Sequence, residues 1–223
     1  MNITHPKRLP DNPNLHYWYE DSYDGYQLMV NKGPFIEECL EKLYQTLNHA
    51  LADYSRVFAF RFDLRLPFGQ TLPDDAMTNK VLHRFKSSFD AQIENSRKCA
   101  RKRNRAAHDT CVRYFWVREV GGRGRPHYHC IVFLNGHAYR SLGSIESECI
   151  NMHRRLQVAW ARALRLPVAD VRRTVHIPKK ATFRLTRRDY FEHDRFMYRS
   201  SYLCKAATKS YVNGQHGFGG SRC

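Results

Sequence analysis

Acidic residues are the scarce component of this chain. Only 21 Asp and Glu stand against 37 Lys and Arg in 223 residues, a formal net charge of +16. A folded protein with so few anions of its own is expected to meet a polyanionic partner, nucleic acid before any other. Long hydrophobic runs are missing as well. No stretch approaches about 18 apolar residues, and the opening MNITHPKRLPDNPNLHYWY has no apolar secretion core, which argues against a membrane span or an export signal. The seven cysteines include no C-x-x-C pair, which argues against a zinc ribbon or a thioredoxin-type site. An odd cysteine count without an export signal reads as free thiols, so a cytoplasmic protein is expected. No internal repeat and no low-complexity segment occurs. What is present is ordinary for a folded chain: 42% hydrophobic and 13% aromatic residues, enough for one domain with a real core.

Residues 1–33 read as an arm with an aromatic cluster at Tyr17, Trp18, Tyr19, Tyr23 and Tyr26, and residues 34–223 as one domain with its core from about Arg56. Pro34 opens an amphipathic helix to about Ala52. Arg56–Leu66 alternates as a strand, with Phe58, Phe60, Phe62, Leu64 and Leu66 on one face and Arg61, Asp63 and Arg65 on the other. Pro73 and Asp74–Asp75 start a long helix that ends in Arg97, Lys98, Arg101, Lys102, Arg103 and Arg105. That run is either a phosphate-binding patch or a solvated helix end, and the global charge favours phosphate. Helical spacing continues over Ser144–Leu164, with Trp160 as core. A short strand follows at Val171–Ile177, then a basic loop carrying Lys179, Lys180, Arg184, Arg187 and Arg188, and a last helix from Phe191 to about Tyr211. The tail GQHGFGGSRC reads as a glycine-rich loop. The order from Arg56 is β-α-β-β-α-β-α. It predicts an α+β fold: an antiparallel sheet with a βαββαβ, RRM- or ferredoxin-like core, helices on one face and a polar face left open.

The chemistry centres on Val117–Phe133, VREVGGRGRPHYHCIVF. Two β-forming runs, Tyr114–Val120 and Tyr128–Leu134, flank a turn that carries Arg123 and Arg125. Alternation puts His127 and His129 on one face, where two imidazoles can hold a divalent metal, and Glu119 on the partner strand can add an oxygen ligand. His-x-His alone is common in a chain with 12 histidines; its setting makes it informative. Downstream, Tyr198 and Tyr202 precede Lys205 at helical spacings of four and three, on one face. A tyrosine hydroxyl is a poor nucleophile unless a neighbour favours the phenolate, and a lysine one turn away does so.

The His-hydrophobe-His strand with Tyr-x3-Tyr-x2-Lys on a later helix resembles the HUH superfamily of rolling-circle initiators and relaxases. More closely, the chain resembles inovirus-type gene 2 replication proteins, also called YagK/YfjJ-like, through Asn31–Pro34, Phe58–Arg65, Val117–His129 and Ser201–Arg222. The resemblance implies a phage or prophage replication initiator in a bacterial host, an HUH endonuclease and strand transferase acting through a 5′-phosphotyrosine. It implies that His127 and His129 bind Mg²⁺ or Mn²⁺ and that Tyr202 attacks first, with Tyr198 as second tyrosine and Lys205 as its aid. Glu119 matches the third-ligand position, with Asp63 as rival. Origin or single-stranded DNA would be held by Arg61, Arg65, Arg123, Arg125, the Arg97–Arg105 run, and Lys179 and Lys180. No Walker A pattern occurs, so a host helicase is expected as partner. The rival expectation is a non-catalytic DNA-binding regulator of the same fold.

Overall fold

The computed structural model describes residues 5–143, 150–209, 211 and 214–221. Strands β1 (Arg8–Leu9) and β2 (Asn12–Trp18) pair antiparallel, and β3 (Ser22–Tyr23) turns into β4 (Tyr26–Gln27). That turn holds Asp24 and Gly25 at φ 49° and 83°, the left-handed pair that a two-residue hairpin requires. β5 (Phe35–Ile36) then pairs with β2 and leads into helix α1 (Glu37–Asp53). The helix expected from Pro34 therefore begins later. Phe35 and Ile36 pair their backbones with Trp18 and Tyr17 and are fully buried. Leu9, Leu15 and Leu28 of the N-terminal segment are buried in the same core as α1.

The main sheet is built from β6 (Arg56–Arg65), β7 (Arg113–Val120), β8 (Pro126–Asn135), β9 (Val175–His176), β10 (Thr182–Thr186) and β11 (Phe218–Gly220). Helix α2 (Lys80–Arg103) lies between β6 and β7 in the chain. Helices α3 (Met152–Leu164) and α4 (Val168–Val171) lie between β8 and β9, and α5 (Tyr190–Ser201) follows β10. The strand order is β10-β6-β8-β7-β11, all antiparallel, with β9 extending the outer edge of β6 beside Asp63 and Leu64. The protein is a mixed α+β fold. Among the described residues no helix is long and apolar enough to cross a membrane.

Period-two alternation explains which side chains enter which core. Phe58, Phe60, Phe62 and Leu64 of β6 join Tyr128, Cys130, Val132 and Leu134 of β8 beneath α2 and α3. The opposite face was expected to stay open, and it does not. Val57 and Ala59, in phase with Arg61, pack with Phe115, Val117, Ile131 and Phe133 under α1 and α5. That face is apolar at one end, where the two helices cover it, and polar at the other, where Arg61, Asp63, Glu119, His127 and His129 lie.

Other boundaries differ for local reasons. α2 starts at Lys80 rather than near Pro73: the backbone before it closes tight turns, with the Ala76 amide donating to the Pro73 carbonyl at 2.8 Å and the Thr78 amide to the Asp75 carbonyl at 3.0 Å, and Asp75 takes Arg84 in a two-point ion pair of 2.7 and 2.8 Å. α3 starts at Met152, capped by the Asn151 side chain accepting from the Arg154 amide at 2.9 Å. The earlier part of the expected helix, 144–149 with Ile145 and Cys149, lies outside the described residues. The stretch expected as a basic loop contains β10, whose Phe183 and Leu185 are buried while Arg184 points out. The C-terminal tail is an edge strand, β11, rather than a loop. A Cβ on Gly219 would lie 2.9 Å from Trp116, and one on Gly220 2.5 Å from Thr46 Oγ1. Glycine lets β11 pass between Trp116 and α1.

Trp160 is fully buried and donates its indole N–H to the Arg65 carbonyl at 2.9 Å. Trp160→Ala is expected to cost about 3–5 kcal/mol in urea unfolding. Phe191→Ala on α5, at a site 75% exposed, is expected to stay within about 0.5 kcal/mol of the parent.

Candidate active site

The register of three strands builds the polar end of the second face. β7 sets Glu119 against His127, and β6 sets Asp63 against His129. Glu119, His127 and His129 form a group that could hold a metal ion, with one ligand atom from each lying within 4.8 Å of the others. Glu119 Oε2 lies 3.4 Å from Nε2 of both histidines. Two imidazole nitrogens and one carboxylate oxygen suit a divalent ion of borderline hardness. The fit is consistent, because each histidine turns Nε2 to the common centre and Nδ1 of His129 is already engaged by Asp63 at 2.5 Å. Both rival carboxylates thus sit beside the histidines, on opposite sides of His129.

Sequence reasoning missed three of the groups that hold this arrangement. Glu119 Oε1 accepts from Thr208 Oγ1 at 2.6 Å and from Lys209 Nζ at 3.2 Å. Lys209, fully buried at its side chain, also donates to the Leu203 carbonyl at 2.7 Å. His176 on β9 reaches Asp63 Oδ2 through Nδ1 at 3.2 Å. Thr208 and Lys209 lie in the same C-terminal block as Tyr202, but no spacing rule links them to Glu119. Asp63↔His176 is a cross-strand neighbour pair that only the fold reveals.

Burial would raise the Glu119 carboxyl, but hydrogen bonds from His127 and His129 and the Lys209 ammonium hold it far below the usual carboxylate range. Asp63 is likewise lowered against its burial by His129 and Arg61. Burial alone would lower His129, yet its bonds to Asp63 and Glu119 raise it above its ordinary value.

The tyrosine element differs from the expected continuous helix. α5 stops at Ser201, a 3₁₀ turn carries Tyr202–Cys204, and Lys205 leaves in extended conformation. The chain is drawn off the helix by Phe35, which bridges Lys205, and by Pro34, whose carbonyl accepts the Ala206 amide at 2.9 Å. Tyr202 and Lys205 still meet: Lys205 Nζ donates to the Tyr202 hydroxyl at 2.8 Å and lies 3.7 Å from Glu119 Oε1. Arg61 sits 5.4 Å from the Tyr202 ring and 3.7 Å from Asp63 Oδ1, a bridge inside the site rather than a free cation. Tyr198 is 43% exposed. Among the described residues no side-chain hydrogen bond or ring contact joins it to Tyr202, Lys205 or Glu119.

The expected DNA-contacting cations divide. Arg65, Arg123 and Arg125 stand beside His127 around one cavity. Lys179 and Lys180 share a small cleft with Arg61 and Arg199. The Arg97–Arg105 run lies elsewhere. Its helix end packs near Asn135, whose side chain bonds the Asp109 carbonyl, six residues along β8 from His129 and so roughly 20 Å away. There Arg97 donates to the His108 carbonyl, Lys98 pairs with Glu94 and Arg101 with Asp109, leaving Lys102, Arg103 and Arg105 exposed.

Over residues 19–221 the chain matches the YagK/YfjJ C-terminal domain. It belongs to that family. The Escherichia coli (strain K12) proteins YfjJ and YagK, both described as uncharacterized, are 28% and 27% identical to it over 200 and 198 residues. Each alignment covers 85% of this chain and 96% or 95% of the relative. Among solved structures, the N-terminal nuclease domain of minute virus of mice non-structural protein 1 aligns at TM-score 0.26 and 12% identity, covering 73% of this chain and 71% of that one. The catalytic domain of the adeno-associated virus type 5 Rep protein aligns at 0.29 and 11%, covering 65% and 97%. At those scores the likeness carries no functional argument.

The shifted groups make a pH signature for the metal-free protein. Asp63 and Glu119 contribute stability that is present above their unfolded values near about pH 4 and is lost as pH falls through their lowered native values. His129 contributes stability that is full below about pH 6.5 and is lost as pH rises through its raised native value. In chelator, the melting-temperature gap between the parent and Asp63→Asn is expected to be widest between about pH 4.5 and 6.5 and to narrow on both sides. A gap indifferent to pH contradicts the pairing of Asp63 with His129.

Proposed function

We propose that this chain is an HUH-type DNA endonuclease and strand transferase. It nicks single-stranded DNA at an origin of an inovirus-like phage or prophage and later rejoins the ends. The observation that carries the reading is Lys205. One ammonium donates to the Tyr202 hydroxyl and lies within 3.7 Å of Glu119 in the metal-competent cluster, so both halves of the chemistry share one connected site. In this reading the core is a βαββαβ, ferredoxin-like one, which the strand order β10-β6-β8-β7 with α2 and α3 on one face supports.

In this reading Glu119, His127 and His129 hold a divalent ion such as Mg²⁺ or Mn²⁺, and Asp63 orients His129 through Nδ1. When bound, the ion would polarise the phosphodiester and neutralise charge developing on it. Tyr202 oxygen attacks phosphorus, the P–O3′ bond breaks, the phenolic proton passes to solvent and the departing oxygen gains one to become a 3′-hydroxyl. The phosphate stays on Tyr202 as a 5′-phosphotyrosine. Attack by a 3′-hydroxyl reverses the step and frees the tyrosine. Lys205 holds the Tyr202 hydroxyl in place by donating a hydrogen bond to it at 2.8 Å. Tyr198, exposed one turn back, is the second tyrosine in a two-transfer cycle. Arg65, Arg123, Arg125, Lys179 and Lys180 hold phosphates near the cut, while Lys102, Arg103 and Arg105 touch DNA farther off. A host helicase opens the duplex.

Single-stranded origin-region DNA with Mn²⁺, resolved on a denaturing gel, tests this. A metal-dependent protein–DNA adduct is expected from the parent and is expected to vanish with Tyr202→Phe. His129→Ala is expected to cut adduct formation by about 100-fold or more while binding persists. Loss only with Tyr198→Phe would exchange the tyrosines. Tight binding with no adduct from any origin sequence would leave a non-catalytic DNA-binding regulator.

A further inference from the structure

A cavity of about 310 Å³ opens beside His127, walled by Arg65, Phe68, Gly122, Arg123 and Arg125, with no Asp or Glu in its lining among the described residues. Phe68 is 65% exposed, two residues after the buried Leu66. Nothing in the core requires it there. Its position is nonetheless held, because Arg125 donates to the Pro67 carbonyl at 2.8 Å and stacks 4.7 Å from the Phe68 ring centre, while Arg123 lies 5.5 Å from the same ring. Two guanidiniums therefore lie over an aromatic ring that is still 65% exposed. Gly122 has open space where a Cβ would be, so the loop backbone leaves the approach clear.

The geometry points to a nucleotide pocket. Phe68 is the stacking platform for one base of the single-stranded DNA, and Arg65, Arg123 and Arg125 neutralise the phosphates beside it. The occupant follows from the chemistry of the walls. The exposed part of an aromatic ring accepts any base, and three guanidiniums with no carboxylate among the described lining residues require an anionic backbone. A duplex cannot offer its base faces to the ring, so the strand must be single. Because His127 forms part of the wall, the stacked base neighbours the phosphate at the metal centre, which is the part of the inference that rests on the proposed endonuclease. Stacking there fixes the strand's register against Tyr202.

Fluorescence anisotropy in chelator tests the pocket without any cleavage. The probes are a labelled thymidine hexamer and an abasic hexamer of equal charge. The parent is expected to prefer the thymidine strand. Phe68→Ala is expected to weaken that strand by about 10-fold, leave the abasic strand unchanged and melt like the parent, and Phe68→Trp is expected to restore the preference. Arg123→Ala is expected to weaken both strands. Phe68→Ala binding both strands like the parent, or weakening both alike, would overturn the assignment, as would a parent with no preference. Base-dependent binding lost with Phe68→Ala, in a protein that forms no adduct, would keep the pocket and reject the endonuclease.

Discussion

A carboxylate lies buried under the second face of the sheet, and much of the C-terminal architecture exists in relation to it. Glu119 is only 4% exposed, so its charge must be compensated locally. One oxygen is met by Thr208 and the buried Lys209, and the other faces His127 and His129. Removing one partner of a buried pair leaves an uncompensated charge, at a cost of about 3–5 kcal/mol. The segment after α5 must therefore return across the sheet to deliver Lys209, and in doing so it carries Lys205 and Tyr202 to the same end. Compensating the carboxylate and placing the tyrosine are one structural act.

Sheet register makes this possible. Glu119, His127, His129 and Asp63 come from three adjacent antiparallel strands, and a one-residue slip in any of them would turn its site residue into the opposite core. The apolar residues in phase with them, Val57, Ala59, Phe115, Val117, Ile131 and Phe133, are clamped under α1 and α5 and resist such a slip. Core packing at one end of the face thus fixes the geometry at the other. The tail strand adds to the clamp: β11 lies on Trp116, and the Gly217 carbonyl accepts the Arg118 amide at 2.7 Å, next to Glu119.

Much of this was legible where a local period carries the information. The alternation of Arg56–Arg65 and of Tyr128–Leu134 gave both strands and the shared face of His127 and His129, because a pleated strand imposes period two whatever packs on it. Helical spacing gave α1 and the body of α2 and α3. Contacts made at long range were not legible. The helix holding Tyr198 continues in pattern past Ser201, yet pairing with Phe35 ends it, so Tyr202 and Lys205 meet through a 3₁₀ turn. The tail reads as a loop because glycine usually marks one, whereas here it marks close approach to Trp116. A run of cations reads as one patch, but Arg97, Lys98 and Arg101 are tied to their own chain and the run sits at the far end of the sheet from the histidines.

Metal binding tests the centre of this account most directly, and calorimetric titration of the purified protein with Mn²⁺ reads it without DNA. One ion per chain is expected, lost with His127→Ala and with Glu119→Ala. Asp63→Asn is expected to weaken it by about 10- to 100-fold, since Asp63 Oδ1 lies 2.5 Å from His129 Nδ1. Titration of parent and variants showing no bound ion, or binding untouched by His127→Ala, would contradict the metal centre and with it the reading of the sheet's polar end.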